Sequence, residues 1–239
     1  LNRYLFLMTN PTSIFLRNLT GLLFLLPLLL VLSCGEKKEV GQTKEKPELQ
    51  AEKLFKILIL GDSLTEGYGV DESDAYPTLL QERLNHALSE KIGKTFKVIN
   101  GGISGSTTSG GVSRIEWFLK SRPDFLILAL GGNDGLRGIP VKQIKTNLEK
   151  VILAAQNNQI PILLAGMKIP PNYGKAYNQA FSNLFPTLSD QYDIPLIPFL
   201  LEGVGGNPEM NLPDRIHPNP KGHKLICKLV YDSLLPIIH

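Results

Sequence analysis

Four polar residues stand where a chain could assemble ester hydrolysis. Ser63 lies in Gly61-Asp62-Ser63-Leu64-Thr65 and Asn133 in Gly131-Gly132-Asn133-Asp134-Gly135, while Asp214 and His217 share Asp214-Arg215-Ile216-His217-Pro218. Cleaving an acyl ester needs a nucleophile, a base to take its proton, a group to orient that base, and donors for the oxyanion. Ser63 offers the hydroxyl. Of the four histidines, His86 falls within a helical pattern, His239 is the last residue, and His223 follows Gly222 in the final helix, where a solvated or capping role fits. His217 is left as the base. Asp214 precedes it by three residues, so a bent turn would bring its carboxylate to Nδ1 and leave Nε2 free to accept the serine proton. The Asn133 amide and the backbone N–H groups near Gly105 are the oxyanion donors, each such donor being worth roughly 10²–10³ in rate. Gly105 would let the main chain approach a substrate oxygen where a Cβ would intrude.

Each residue also has a plainer explanation. Ser63 could cap the next helix, Asp214 and His217 could form a polar turn, and the glycines could be tight strand–helix links. Thr65 stands where the second glycine of a G-x-S-x-G elbow would be. No lysine follows Gly105, so the ending of a phosphate loop is absent.

What unites these residues is their place in the chain. Phe55 to Leu60, Phe96 to Ile99, Phe125 to Leu130 and Ile162 to Ala165 are near-continuous apolar runs, as in strands buried on both faces of a parallel sheet. A fifth run, Pro195 to Pro198, is short and flanked by proline, which suits an edge strand. Helical spacing links them: Tyr76, Leu79, Leu80, Leu84 and Leu88; Ile144, Leu148, Val151, Ile152 and Ala155; Tyr177, Phe181, Leu184, Phe185 and Leu188; then Leu225 to Leu235. This alternation predicts an α/β fold, an α/β/α sandwich around a five-stranded parallel sheet. Sites in such folds lie beyond the carboxyl ends of the strands. The polar, glycine-rich segments containing Ser63, Gly105, Asn133 and His217 follow the first, second, third and fifth runs.

Outside that domain the chain has a different character. Leu22 to Leu32 is almost unbroken apolar sequence after Arg17, too short to span a bilayer comfortably, and reads as the core of a signal peptide over 1–33, with Met8 a candidate start. Val31-Leu32-Ser33-Cys34-Gly35 resembles the lipobox of bacterial lipoproteins, in which the cysteine is acylated. Residues 34–53 alternate Lys and Glu with few apolar side chains, a composition for a flexible tether. The expected folded domain is 54–239, carried as an exported lipoprotein of the bacterial cell envelope by a membrane anchor at Cys34. Removal of Arg3 and Arg17 with the leader takes the net charge from +3 to +1, which argues against nucleic acid as a partner. Only Cys34 and Cys227 are present; with Cys34 acylated no intrachain disulfide forms, and Cys227 reads as a small core residue. No Cys/His cluster has zinc spacing.

Taken together, the blocks Gly61-Asp62-Ser63-Leu64, Gly102-Ile103-Ser104-Gly105, Gly131-Gly132-Asn133-Asp134 and Asp214-Arg215-Ile216-His217-Pro218 resemble those of the GDSL, or SGNH, hydrolases. The likeness runs over nearly all of 54–239. Within the family, Gly131 to Gly138, Pro171-Asn172-Tyr173-Gly174 and Tyr177-Asn178 to Phe181 look like the subgroup of multifunctional periplasmic thioesterases that also act as lysophospholipases and arylesterases. The resemblance implies a flavodoxin-like fold and hydrolysis of esters and thioesters without metal or cofactor. It implies Ser63 as nucleophile, His217 as base and Asp214 as its orienter. The Ser63 and Gly105 N–H groups and the Asn133 side chain would form the oxyanion hole. One departure is Ser106, where close relatives commonly carry Asp.

The expected activity is therefore a serine esterase, monomeric, acting on small acyl esters, thioesters or lysophospholipids. Leu136, Ile139, Ile169 and Tyr173, in the loops 135–141 and 169–175, are expected to line the acyl site. Two rivals share the sequence features: a carbohydrate deacetylase with the same triad, and a flavodoxin-like binding lipoprotein whose 101–111 turn cradles a phosphate.

Overall fold

The computed structural model describes residues 53–238; the leader, Cys34, nearly all of the charged segment and His239 lie outside them. Five parallel strands form one sheet: β1 (Lys53–Gly61), β2 (Lys94–Gly102), β3 (Phe125–Ala129), β4 (Ile162–Ala165) and β5 (Leu196–Ile197), in the order β2-β1-β3-β4-β5. Every residue of β3 and β4 is buried, as strands covered on both faces require.

The helices are α1 (Ser63–Glu66), α2 (Tyr76–Ile92), α3 (Thr108–Leu119), α4 (Gly132–Leu136), α5 (Val141–Asn157), α6 (Lys175–Tyr192) and α7 (Pro220–Leu234). Contacts of α2 with α7, and of α5 with both α3 and α6, group the long helices into two layers, one on each face of the sheet. The fold is thus a three-layer α/β/α sandwich around a five-stranded parallel sheet. Helix α5 buries Ile144, Leu148, Val151, Ile152 and Ala155, the same five residues whose spacing predicts it. Side chains of this size each contribute about 1.5–3 kcal/mol when fully buried, except the smaller alanine.

Both sheet edges are managed. β5 is only two residues long, between Pro195 and Pro198. At β2, the side chains of α2 stand in for a missing strand. Asn85 accepts from the Phe96 N–H at 2.7 Å and donates to the Phe96 carbonyl at 2.9 Å, while Gln81 accepts from the Val98 N–H at 3.0 Å. Edge groups satisfied in this way offer no ladder to another chain.

Helix α7 begins at Pro220, because Asn219 takes the cap position and accepts from the Lys221 and Gly222 N–H groups. One local expectation needs correction. His223 is not solvated: it is fully buried, and its Nδ1 accepts from the Tyr76 N–H at 3.3 Å. Burial pushes its pKa down to about 4, so it stays neutral where an exposed imidazole would charge. Cys227 is buried in the same helix, its thiol pushed up to about 11 by burial. Among the described residues no helix is long and apolar enough to cross a membrane.

Candidate active site

The strand order places a crevice between β1 and β3. The chain leaves β1 towards β2 on one side and reaches β3 on the other, and ligands in such sheets bind beyond the carboxyl ends at this reversal. Ser63 follows β1 and Asn133 follows β3, so the two candidates flank that point.

Ser63 is the first residue of α1 rather than its cap. The cap is Asp62, whose Oδ1 accepts from the Leu64 N–H at 3.0 Å. This frees the Ser63 hydroxyl, which lies 3.0 Å from His217 Nε2. On the other side of the ring, His217 Nδ1 is 2.7 Å from Asp214 Oδ2. The second oxygen of Asp214 accepts from the N–H groups of Ile216 and His217, at 2.9 and 3.0 Å. One carboxylate therefore shapes the turn and orients the imidazole. Those hydrogen bonds, led by the one from the His217 N–H, hold Asp214 down at about 2, so it is ionised wherever the protein is folded in ordinary buffers. The turn itself is pinned by an N–H bond from Leu212 to the His217 carbonyl at 2.7 Å and one from Asn219 to Met210 at 2.9 Å. Tyr68 packs on the imidazole with ring centroids 4.5 Å apart.

The three oxyanion candidates have free donors. The N–H groups of Ser63 and Gly105 have no acceptor among the described residues. Gly105 has φ 71°, a left-handed conformation natural to glycine, and its carbonyl accepts from Arg137 Nη2 at 3.0 Å. Asn133 gives one amide hydrogen to Asp62 Oδ2 at 3.2 Å and keeps the other for a ligand. The orienting role of Asp62 escaped the sequence reading. Its only signal was an acidic residue at a helix cap, next to the nucleophile. Burial raises the Asp62 carboxyl to about 6, against the lowering effect of the Leu64 and Asn133 hydrogen bonds.

Ser106 lies beside this site as an acceptor for Arg114. Arg114 donates to its Oγ at 3.0 Å and to the carbonyls of Gly61 and Gly101 at 2.6 and 2.8 Å. The guanidinium thus ties together the ends of β1 and β2. The proposed phosphate turn takes another form. Residues from Thr108 onward are helical, and the Asp134 carboxylate accepts from both the Thr108 N–H and hydroxyl, at 2.8 and 2.6 Å. A helix end already holding a carboxylate repels a second anion.

A cleft of about 550 Å³ opens on Ser63, Asn133 and His217. Its apolar wall comprises Leu136, Met167, Ile169, Pro170, Phe199 and Leu201. Leu136 and Ile169 lie where the sequence reading puts them. Ile139 and Tyr173 are not among the residues lining the cleft, contrary to expectation: Ile139 packs against the hydrophobic core, and the Tyr173 side chain is engaged with the main chain of Leu136. The Tyr173 hydroxyl donates to the Leu136 carbonyl and that of Tyr177 to the Ile139 carbonyl, each at 2.7 Å. Met167, Phe199 and Leu201 were not anticipated, since a cleft wall drawn from separate loops has no periodic signature.

A serine beside an imidazole held by a carboxylate, at the carboxyl edge of a parallel sheet, defines the class: a serine ester hydrolase. The chain belongs to the GDSL-like lipase/acylhydrolase family, whose profile matches residues 59–225. It is 39% identical over 181 residues to an arylesterase of Vibrio mimicus, covering 75% of this chain and 88% of that protein. It is 36% identical over 184 residues to thioesterase 1/protease 1/lysophospholipase L1 of Escherichia coli K12, covering 77% and 85%. A crystal structure of TesA superposes with a TM-score of 0.71 at 36% identity, over 77% of this chain and 99% of that one.

Proposed function

We propose that this chain hydrolyses acyl esters and thioesters through an acyl-enzyme on Ser63. The observation that carries the reading is the continuous relay from Asp214 through His217 to Ser63 Oγ, at 2.7 and 3.0 Å, opening into an apolar cleft. Ser63 Oγ attacks the acyl carbonyl as its proton passes to His217 Nε2. The oxyanion accepts hydrogen bonds from the Ser63 and Gly105 N–H groups and the Asn133 amide. Collapse breaks the bond to the leaving oxygen or sulfur, which takes the proton from His217. A water then repeats the sequence on the acyl-enzyme, releasing the carboxylic acid and restoring Ser63. The names of the relatives, arylesterase and thioesterase/lysophospholipase, accord with acyl transfer from both oxygen and sulfur.

The apolar wall favours an acyl chain over a sugar, and Leu136, 41% exposed at its edge, offers the test. Leu136→Glu is expected to lower kcat/KM for p-nitrophenyl octanoate at least about tenfold more than for the acetate. Each methylene carries about 0.8 kcal/mol of transfer free energy that a charged wall would forfeit. Equal losses on the two esters would remove the acyl chain from this cleft.

The proposal extends to location. The Val31-Leu32-Ser33-Cys34-Gly35 motif and the charged segment after it support a lipid anchor at Cys34. Cells expressing Cys34→Ser should then yield the esterase in the aqueous phase of a detergent partition. Retention of wild type and variant alike in the aqueous phase would refute the anchor.

A further inference from the structure

Among the described residues four non-glycine residues have left-handed backbone: Arg122, Gln159, Asp193 and Arg215, with φ of 51°, 59°, 50° and 62°. Asp193 caps α6, and Arg122 and Gln159 lie within three residues of the ends of α3 and α5, where a left-handed residue closes a helix in the ordinary way. Arg215 follows no helix. It sits in the turn between Asp214 and His217, where glycine would take the same φ without strain. Its guanidinium has no hydrogen bond or ion pair among the described residues, yet it lines the cleft with His217 and Ile216. The other charges there are already engaged. Asp62 holds the Leu64 N–H and Asn133, and Asp214 holds His217. Lys168 lies over the Phe199 ring at 4.7 Å and 3.8 Å from the Glu202 carboxylate.

We propose that Arg215 is a specificity residue that pairs with a phosphate on the leaving group of the substrate. The inference rests on the esterase reading above, and chemistry sets the side. The leaving oxygen or sulfur takes its proton from His217 Nε2, so the leaving group lies towards the turn that carries both residues. An unpaired guanidinium at that place suits a phosphate, which it can grip with two parallel hydrogen bonds. Phosphate can arrive there in a lysophospholipid head group or in a nucleotide thiol.

The test compares two substrate pairs in the full-length protein. The first pair is 1-octanoylglycerol 3-phosphate against 1-octanoylglycerol, and the second is octanoyl-CoA against S-octanoyl-N-acetylcysteamine. Arg215→Gly is expected to lower the kcat/KM ratio of phosphorylated to neutral substrate about tenfold in at least one pair, the loss of one charged hydrogen-bonded contact. Arg215→Lys, which keeps the charge, should retain most of the ratio. The thermal midpoint of Arg215→Gly should equal or exceed that of the wild type, because the backbone strain is relieved. A fall in the first pair alone assigns the lipid phosphate, and in the second alone the nucleotide phosphate. Unchanged ratios in both pairs, with Ser63-dependent hydrolysis of the neutral esters intact, overturn the inference and leave the esterase reading standing.

Discussion

Ser63→Ala is expected to lower kcat for p-nitrophenyl butyrate by about 10⁶ while the protein keeps its fold. Both halves follow from the geometry. The hydroxyl is the atom 3.0 Å from His217 Nε2, and an alanine methyl neither attacks nor gives up a proton. The fold survives because the capping of α1 belongs to the Asp62 carboxylate, so Ser63 contributes no helix cap to lose. The residual rate comes from an oxyanion hole that remains in place. Steady-state hydrolysis and a thermal melt check the two halves together. Undiminished turnover in the variant would mean that some other group attacks the ester.

The next largest effect is expected at Asp214. Asp214→Asn should reduce kcat by about 10⁴, as loss of the orienting carboxylate does in serine proteases. The amide oxygen can still accept from the Ile216 and His217 N–H groups, so the turn persists. The amide nitrogen then faces His217 Nδ1 as a donor. That contact favours the tautomer with its hydrogen on Nε2, aimed at Ser63 and useless as a base. Because the wild-type Asp214 carboxyl is held down at about 2, its own titration lies below the working range. The fall of kcat/KM from pH 8 to pH 5 therefore reports other groups. The Asp62 carboxyl, raised to about 6 by burial, contributes to the loss as it protonates and ceases to be a pure acceptor for Asn133. The expected profile rises with pH across this interval. A rate flat from pH 5 to pH 8 would count against a role for the Asp62 carboxylate in holding Asn133, and wild-type turnover in Asp214→Asn against the relay.

Arg114 shows how one guanidinium can join two strand ends. In this chain Ser106 is a neutral acceptor for its guanidinium, and two strand-end carbonyls supply the remaining partners. The group is tied to main-chain oxygens that every sequence provides, so exchange of one side-chain acceptor leaves the ends of β1 and β2 joined.

What the sequence determined by itself was whatever depends on period or on local chemistry. The apolar runs at Phe55, Phe125 and Ile162 located three inner strands, because a strand covered on both faces must be apolar at nearly every position; the run at Phe96 located β2 too, but as an edge strand with Lys97 exposed rather than one buried on both faces. Helix α5 was legible to the residue, since one buried face repeats with the helical period. The relation of Asp214 to His217 was legible too, because three residues of separation confine it to one turn. Helix α3 was hidden by Gly110 and Gly111, which disfavour a helix in isolation. Only packing explains the second of them: a Cβ on Gly111 would come within 2.5 Å of a Leu130 methyl. His223 was misread for a similar reason, since nothing in its own neighbourhood in the chain reveals that α2 covers it. Tertiary structure alone also decided the contact between Ser63 and His217 across 154 residues, the hold of Asp62 on Asn133, and the wall that excludes Ile139 and Tyr173. These depend on which loops the strand order 2-1-3-4-5 sets side by side, and strand order leaves no periodic trace in the sequence.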